Sequence, residues 1–199
     1  MQAKKSLGQN FLSNPAIAET ILRAGDVQKG DNILEVGPGM GFLTEFLIKK
    51  GALVTAVEKD DRLIEPLKAK FPEITLIHSD ILEYSHTGTY KIIANIPYYI
   101  TGEFLRRFLQ ETAQPSLMIL MVQKEVAERI ASAEKESILS LSVKIFGSPK
   151  YIETIKAEHF DPVPKVDSAI LAIYDIKKPT DVDLETFFKP CSFNPRQTR

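Results

Sequence analysis

The feature that most constrains the fold is a regular alternation of short apolar runs with amphipathic segments. The apolar runs are typical of strands buried on both faces: Ile33–Val36, Leu53–Val57, Ile74–Ile77, Ile92–Ala94 and Leu117–Val122. The segments between them have helical periodicity: Phe42–Lys50, Asp61–Lys70, Gly102–Leu109 and Lys124–Ala131. Strands of this kind that alternate with helices predict a parallel sheet covered by helices on both faces.

The pattern changes in the last third of the chain. After a helical segment at Ile138–Phe146, two strand-like runs, Tyr151–Ala157 and Ala169–Tyr174, are joined by the proline-containing loop Phe160–Val166. These runs predict an antiparallel hairpin at the edge of the sheet, which is where class I methyltransferases place one. We therefore expect an α/β, Rossmann-like fold with a mostly parallel, seven-stranded sheet and helices on both faces, which resembles the class I methyltransferase fold.

Composition narrows the classes of protein to which the chain can belong. Of its 199 residues, 44% are hydrophobic and 26% charged, which suits one domain with or without a small appendage. The single Cys191 excludes an internal disulfide framework and a cysteine-based zinc site, and no apolar run approaches the roughly 18 residues of a membrane span. We expect a soluble, cytoplasmic protein. The net charge of −1 argues mildly against a nucleic-acid binder, so any basic surface must be local.

A glycine-rich turn, Glu35–Gly41, follows the first of the apolar runs and opens a helix. Gly37 and Gly39 allow the backbone to turn tightly and to approach a ligand at the positive end of that helix. Glu58 ends the next strand, about twenty residues on, where a carboxylate can accept both hydroxyls of a ribose. The G-x-G-x-G spacing, and the N–H that Pro38 lacks, favour S-adenosylmethionine; a dinucleotide and a purely structural turn remain alternatives.

Asp80 follows the third apolar run and is a further candidate for binding a cofactor. A carboxylate at this strand end can accept a hydrogen bond from an adenine amino group, although an aspartate that only caps a turn is the alternative. The neighbouring Lys59 and Ile81 complete the cofactor-binding residues that we expect at this edge of the sheet.

The motif Asn95-Ile96-Pro97-Tyr98 follows the fourth apolar run, so it reaches the same crevice as the glycine turn. The N6 lone pair of adenine is delocalised into the ring and is a poor nucleophile. If the Asn95 side-chain carbonyl and the Ile96 backbone carbonyl accept the two amine hydrogens, the nitrogen becomes more tetrahedral and its lone pair is freed. Pro97 fixes the backbone, and Tyr98 offers a face on which an extruded base can stack. The alternative is an ordinary turn with a core tyrosine.

Taken together, the motifs resemble those of the ribosomal RNA adenine N6,N6-dimethyltransferases of the KsgA type, from about Gln2 to Tyr174. The segments that carry the resemblance occur in the family's order: Leu7–Leu12, Glu35–Gly41, Asn95–Tyr98, Gln123–Ala127 and Phe160–Ala169. The resemblance implies that S-adenosylmethionine is the cofactor and that the substrate is a pair of adjacent adenosines in small-subunit ribosomal RNA. It also implies a partner, the small ribosomal subunit.

The resemblance also assigns roles to single residues. Gln9, Asn10 and Leu12 belong to a motif that contacts the cofactor, and Asn95 sits between the cofactor and the target amine. Phe160 matches a loop phenylalanine that would pair with Tyr98 to sandwich the flipped base; an ordinary hydrophobic plug is the alternative. These roles follow from the family's motifs and not from the spacing of the residues.

Other interpretations remain open at this point. The Erm enzymes, which modify an adenosine of large-subunit ribosomal RNA, are the nearest relatives of the family. A DNA adenine methyltransferase uses the same N-x-P-Y motif and is a second alternative. A third is a non-catalytic ribosome-assembly factor that keeps the fold and binds RNA. Detectable methyl transfer would exclude the last alternative, and competition between RNA and DNA substrates would separate the other two.

The ends of the chain and its basic residues bear on RNA binding. We expect residues 1–176 to form the methyltransferase domain, and 177–199 to be the start of a truncated or absent C-terminal helical domain; a monomer is expected.

The basic residues that could meet RNA phosphates are Lys4, Lys5, Arg106, Arg107, Lys124, Arg129, Lys165, Arg196 and Arg199. Ordinary solvated helix faces are the alternative for each of them.

Overall fold

A computed structural model describes residues 9–132, 134 and 136–180 of the chain. Lys4, Lys5, Arg196, Arg199 and most of the segment 177–199 therefore lie outside the described residues. Among the residues that are described, no helix combines the length and the apolar character that crossing a membrane requires.

The centre of the fold is a seven-stranded sheet in the order β4-β3-β2-β5-β6-β9-β7. Its strands are β2 (Asn32–Val36), β3 (Leu53–Glu58), β4 (Thr75–His78), β5 (Lys91–Asn95), β6 (Leu117–Gln123), β7 (Ser148–Ile155) and β9 (Ser168–Tyr174). Strands β2 to β6 pair in parallel, and β9 runs antiparallel between β6 and β7. The expected fold class, including the antiparallel closing hairpin, is confirmed.

Six helices of the described chain connect the strands: α1 (Pro15–Ala24), α2 (Phe42–Lys49), α3 (Asp61–Lys70), α4 (Thr101–Gln110), α5 (Lys124–Ala131) and α6 (Ile138–Phe146). Their first residues are set by local chemistry. Asn14 caps α1 through its side-chain oxygen, with Pro15 at the first helical position, and Asp60 caps α3 in the same way. Ser137 and Ser140 form a reciprocal capping box at the start of α6.

Two hydrophobic cores cover the two faces of the sheet. Helices α4 to α6 pack on one face, where Phe104 and Phe146 are almost fully buried. Helices α1 and α2 pack on the other face through residues such as Ile21. Successive strand residues alternate between the cores, since Ile33 packs with α1 and α2 while Leu34 faces α4. Because this alternation buries both faces of the sheet, each strand has a continuously apolar sequence.

The structure departs from the predicted elements mainly at the edge of the sheet. Strand β7 begins at Ser148, three residues before the predicted Tyr151, and includes Pro149. It pairs only with β9, and an edge strand tolerates a residue that has no N–H. Ala157, predicted in this strand, instead opens a short 3-10 helix. A two-stranded pair, β1 (Phe11–Leu12) with β8 (Phe160–Asp161), was not predicted because two-residue strands carry no periodicity.

A carboxyl group is buried where β2 meets α2. Glu35 is 1% exposed, and its Oε2 accepts a hydrogen bond from Thr44 Oγ1 at 2.7 Å. Burial penalises the charged form and raises the pKa of Glu35 to about 8, with the nearby Glu58 charge acting in the same direction and the Thr44 hydroxyl opposing it. At neutral pH the carboxyl is therefore mostly protonated.

This burial makes stability depend on pH. The folded pKa of about 8 lies above the unfolded value of 4.5, so the contribution of Glu35 is fully present at low pH and is lost as the pH rises through 8. We expect Glu35→Gln to remove this loss, which amounts to roughly 3–4 kcal/mol between about pH 5 and pH 8. Urea unfolding at several pH values measures it. Glu65→Gln, on the exposed face of α3, should follow the wild-type profile. Equal slopes for wild type and Glu35→Gln would contradict the assignment.

Candidate active site

A cleft of about 290 Å³ opens at the carboxyl ends of the parallel strands, close to the lower end of the roughly 300–1,000 Å³ typical of small-molecule sites. It lies where the strand order reverses between β2 and β5, the position at which doubly wound sheets bind ligands. Every predicted site residue except Phe160 lines it: Gln9, Asn10, Leu12, Gly37, Gly39, Glu58, Lys59, Asp80, Ile81, Asn95, Ile96, Pro97 and Tyr98.

The glycine turn forms the floor of the cleft next to α2. Gly39 has φ +60°, a left-handed conformation that side chains disfavour. A Cβ atom at this position would also lie 2.9 Å from the ring of Phe11, so the absence of a side chain lets the segment before α1 close over the turn. The turn is thus shaped to bring backbone, and not side chains, up to a ligand.

The Glu58 carboxylate is fixed against this turn. It is 5% exposed; Oε2 accepts the Gly39 N–H at 3.2 Å, and Oε1 accepts the Asp60 N–H at 2.8 Å. Burial raises the pKa of Glu58, and the backbone hydrogen bonds from Asp60 and Gly39 partly oppose that shift. Both oxygens are oriented by backbone donors at the edge of the cleft, so the carboxylate is preorganised to accept further hydrogen bonds.

Asp80 and Lys59 lie together at the next strand end. Lys59 Nζ is 2.5 Å from Asp80 Oδ2, and Asp80 Oδ1 accepts the Leu82 N–H at 3.0 Å. Burial acts to raise the pKa of Asp80, but hydrogen bonds from Lys59 and Leu82 outweigh it and hold the pKa below its usual value. A ligand amino group at Asp80 would share the carboxylate with Lys59. Ile81 is 5% exposed, packs into the core and lines the cleft.

Asn95 ends β5 and faces the glycine turn across the cleft. Its Nδ2 donates to the backbone carbonyl of Asn10 at 2.9 Å. The side-chain oxygen is therefore the atom left to accept a hydrogen bond from a ligand. The Ile96 side chain is 1% exposed and its N–H donates to the Met121 carbonyl, so its backbone carbonyl is the group it can offer to the cleft. Pro97 has φ −55° and leads into a short 3-10 helix, Tyr98–Ile100.

Tyrosine side chains occupy the outer part of the cleft. The Tyr98 hydroxyl is hydrogen-bonded to Ser168 Oγ at 2.7 Å, and Ser168 is fully buried. Burial raises the pKa of Tyr98, so the phenol stays neutral at physiological pH. Tyr99 is 64% exposed and also lines the cleft. Tyr99 was missed from the sequence because nothing in the motif distinguishes it from a solvated residue.

Phe160 does not line the cleft. It is 3% exposed, is opposite Leu12 in the β1–β8 pair and packs in the core that contains Ile17. The structure therefore does not bring it into the cleft with Tyr98, because the short ladder turns the ring into the core. The family role expected of Phe160 stays a prediction, and it would require the ring to leave this position.

Some of the basic residues expected to meet RNA are engaged within the protein. Arg107 lies in the last turn of α4, whose first turn borders the cleft; it donates to the Tyr84 carbonyl at 3.1 Å and pairs with Glu111. Lys124 lies 3.7 Å from Glu128 on α5. Arg107 is thus held by contacts within the protein, and the expectation that it meets RNA phosphates stays a prediction.

Comparison with known protein families and with individual proteins identifies the family of this chain. The family model described as ribosomal RNA adenine dimethylase matches residues 1–194. A ribosomal RNA small subunit methyltransferase A from Dehalococcoides mccartyi is 44% identical over 183 residues, which cover 87% of this chain and 63% of the relative. A protein of the same name from Aliarcobacter butzleri is 40% identical and covers 99% of this chain and 80% of its own length. The chain thus spans less than two thirds of the first of these relatives.

Solved structures agree with the sequence comparison. A dimethyladenosine transferase from Plasmodium falciparum has a TM-score of 0.78 at 28% identity, covering 89% of this chain and 65% of that one. The 23S rRNA methyltransferase ErmE also has a TM-score of 0.78, at 27% identity, covering 85% of this chain and 71% of that one. The resemblance predicted from the motifs is confirmed: the chain belongs to the ribosomal RNA adenine dimethylase family.

Proposed function

We propose that this chain is an S-adenosylmethionine-dependent methyltransferase that dimethylates the N6 amine of two adjacent adenosines in small-subunit ribosomal RNA. The observation that carries the proposal is the Asn95 side chain, whose amide N–H is bound by the protein while its oxygen remains to accept from a ligand in the cleft. Family membership, and relatives named for small-subunit methylation, support the same reaction.

The residues of the cleft fit this cofactor. Glu58 would accept the ribose hydroxyls, and Asp80 the adenine amino group. Gly37 and Gly39 leave backbone room for the remainder of the molecule, and Asn10, beside Asn95, lies at the inner end. Bound there, S-adenosylmethionine supplies a methyl group made electrophilic by its sulfonium. A dinucleotide is disfavoured because Pro38 offers no N–H to a pyrophosphate.

The chain's contribution to chemistry is to hold the target amine. The Asn95 Oδ1 and the Ile96 carbonyl would accept the two hydrogens of N6, which favours tetrahedral nitrogen and frees its lone pair. Tyr98 would hold the extruded base by stacking, and its hydroxyl anchor at Ser168 keeps the ring in place. The protonated product nitrogen is acidic and gives its proton to water, so no strong base is needed; positioning and hydrogen bonding carry the rate.

The relatives support a small-subunit substrate. Proteins named ribosomal RNA small subunit methyltransferase A are 36–44% identical to this chain. We infer that the partner is the small ribosomal subunit and that the protein acts, as a monomer, in the cytoplasm. Residues 1–176 would form the catalytic domain. The alternative large-subunit activity is tested by supplying both subunits in one assay.

Replacing Glu58 tests the cofactor assignment. Glu58→Ala should weaken S-adenosylmethionine binding, since each hydrogen bond to a charged carboxylate contributes about 1.5–3 kcal/mol. Isothermal titration calorimetry on the folded variant measures the affinity. Glu65→Ala, on the exposed face of α3, is the control that should bind as wild type does. Unchanged affinity in Glu58→Ala, or tight binding of NAD by the wild type, would overturn the assignment.

Replacing Asn95 tests the chemistry. Asn95→Ala should lower kcat at least about tenfold with smaller effects on RNA affinity, because the lost interaction strengthens in the transition state. Asn32 is a matched control: its amide also donates to a backbone carbonyl, that of Thr89, but it begins β2 at the opposite end of the sheet. Asn32→Ala should retain kcat. Methyl transfer must be measured at saturating cofactor, and near-normal kcat for Asn95→Ala would refute amine activation.

A further inference from the structure

Residues 9–12 form a strap across the cleft, held at successive points. Gln9 Nε2 donates to Asp60 Oδ2 at 2.8 Å, at the end of β3. The Asn10 carbonyl accepts from Asn95 Nδ2 at the end of β5. Leu12 then pairs with Phe160 in the short β1–β8 ladder. The strap thus joins two strand ends of the sheet above the glycine turn.

The Asp60 side chain is held in a fixed position from which it binds this strap. Its side chain is fully buried, and its Oδ1 caps α3 by accepting the Arg62 N–H at 3.2 Å. The hydrogen bonds and charge of the Arg62 guanidinium hold the pKa of Asp60 well below its usual value, so the carboxylate stays ionised despite burial. Its own N–H donates to Glu58. Capping a helix needs only one carboxylate oxygen; the other accepts hydrogen bonds from the Arg62 guanidinium and from Gln9, 51 positions away in the sequence.

The orientation of the Asn95 amide depends on the strap. With the Asn10 carbonyl in place, Nδ2 must face it and Oδ1 must face away from it. If the strap shifts, the amide is free to turn over and to present N–H groups to the target amine. An amide in that orientation cannot accept an amine hydrogen.

We propose that Asp60 is a positioning residue that acts through Gln9, fixing the strap so that the Asn10 carbonyl holds Asn95 as an acceptor toward the target amine. The proposal rests on the proposed function. Asp60 is not a predicted cofactor ligand. It lies two residues beyond Glu58, and its side chain binds the strap through Gln9. The Gln9 side chain donates to Asp60 and also lines the cleft, where its expected contact with the cofactor stays a prediction.

Reversing the direction of the hydrogen bond between Gln9 and Asp60 tests this positioning role. Gln9→Glu sets a carboxylate against the Asp60 carboxylate and should release the strap, lowering kcat about tenfold, as expected for loss of one charge-assisted hydrogen bond, with little change in RNA affinity. Adding Asp60→Asn supplies an amide that can donate to the new carboxylate, so the double variant should regain most of the lost kcat. Asp61→Asn is the control, since it removes an exposed carboxylate from the same helix start.

Amide hydrogen exchange of residues 10–13 gives a readout independent of catalysis. Exchange should be faster in Gln9→Glu than in wild type and should slow again in the double variant. Unchanged kcat in Gln9→Glu, no recovery in the double variant, or unchanged exchange would each overturn the positioning role. A wild-type protein without any methyl transfer would instead overturn the proposed function, while hydrogen exchange would still decide whether Asp60 holds the strap.

Discussion

Parallel pairing of β2, β3 and β5 is the constraint on which the site depends. Because the three strands run in the same direction and in register, their last residues meet at one edge of the sheet. The glycine turn, Glu58 and Asn95 each follow or end one of these strands, so residues distant in sequence line a single cleft. The apolar cores on both faces hold that register, since a one-residue slip would exchange the side chains of the two faces.

Within the cleft, polar side chains form hydrogen bonds with the protein backbone that leave particular atoms able to bind ligands. Asn95 gives its N–H to the backbone and keeps an oxygen, and the Glu58 oxygens are oriented by backbone donors. Glu35, buried close by, is mostly protonated at physiological pH because burial penalises its charged form, with the Glu58 charge acting in the same direction. Burial raises the pKa of both Glu35 and Glu58, and the backbone hydrogen bonds that Glu58 accepts oppose its shift.

Much of this could be predicted from the sequence. Strand positions followed from apolar runs, and α3 has the bounds predicted from its periodicity, Asp61–Lys70. The contacts that could not be predicted are those set by tertiary packing. No periodicity marks a two-residue ladder, so the β1–β8 pair that turns Phe160 into the core was not predicted, although burial of Phe160 as a hydrophobic plug was the alternative. The hydrogen bond between Gln9 and Asp60 joins residues distant in the sequence. The pattern identified Ile81 as a site residue but could not indicate that it is almost fully buried in the core.

The most direct test of the account is methyl transfer followed by identification of the product nucleoside. Purified protein, labelled S-adenosylmethionine and small ribosomal subunits that lack the modification would be incubated, and the ribosomal RNA digested and separated by chromatography with mass detection. The account predicts label in N6,N6-dimethyladenosine from small-subunit RNA, and its loss in Asn95→Ala. Label confined to large-subunit RNA or to DNA, or no label at saturating cofactor, would contradict it.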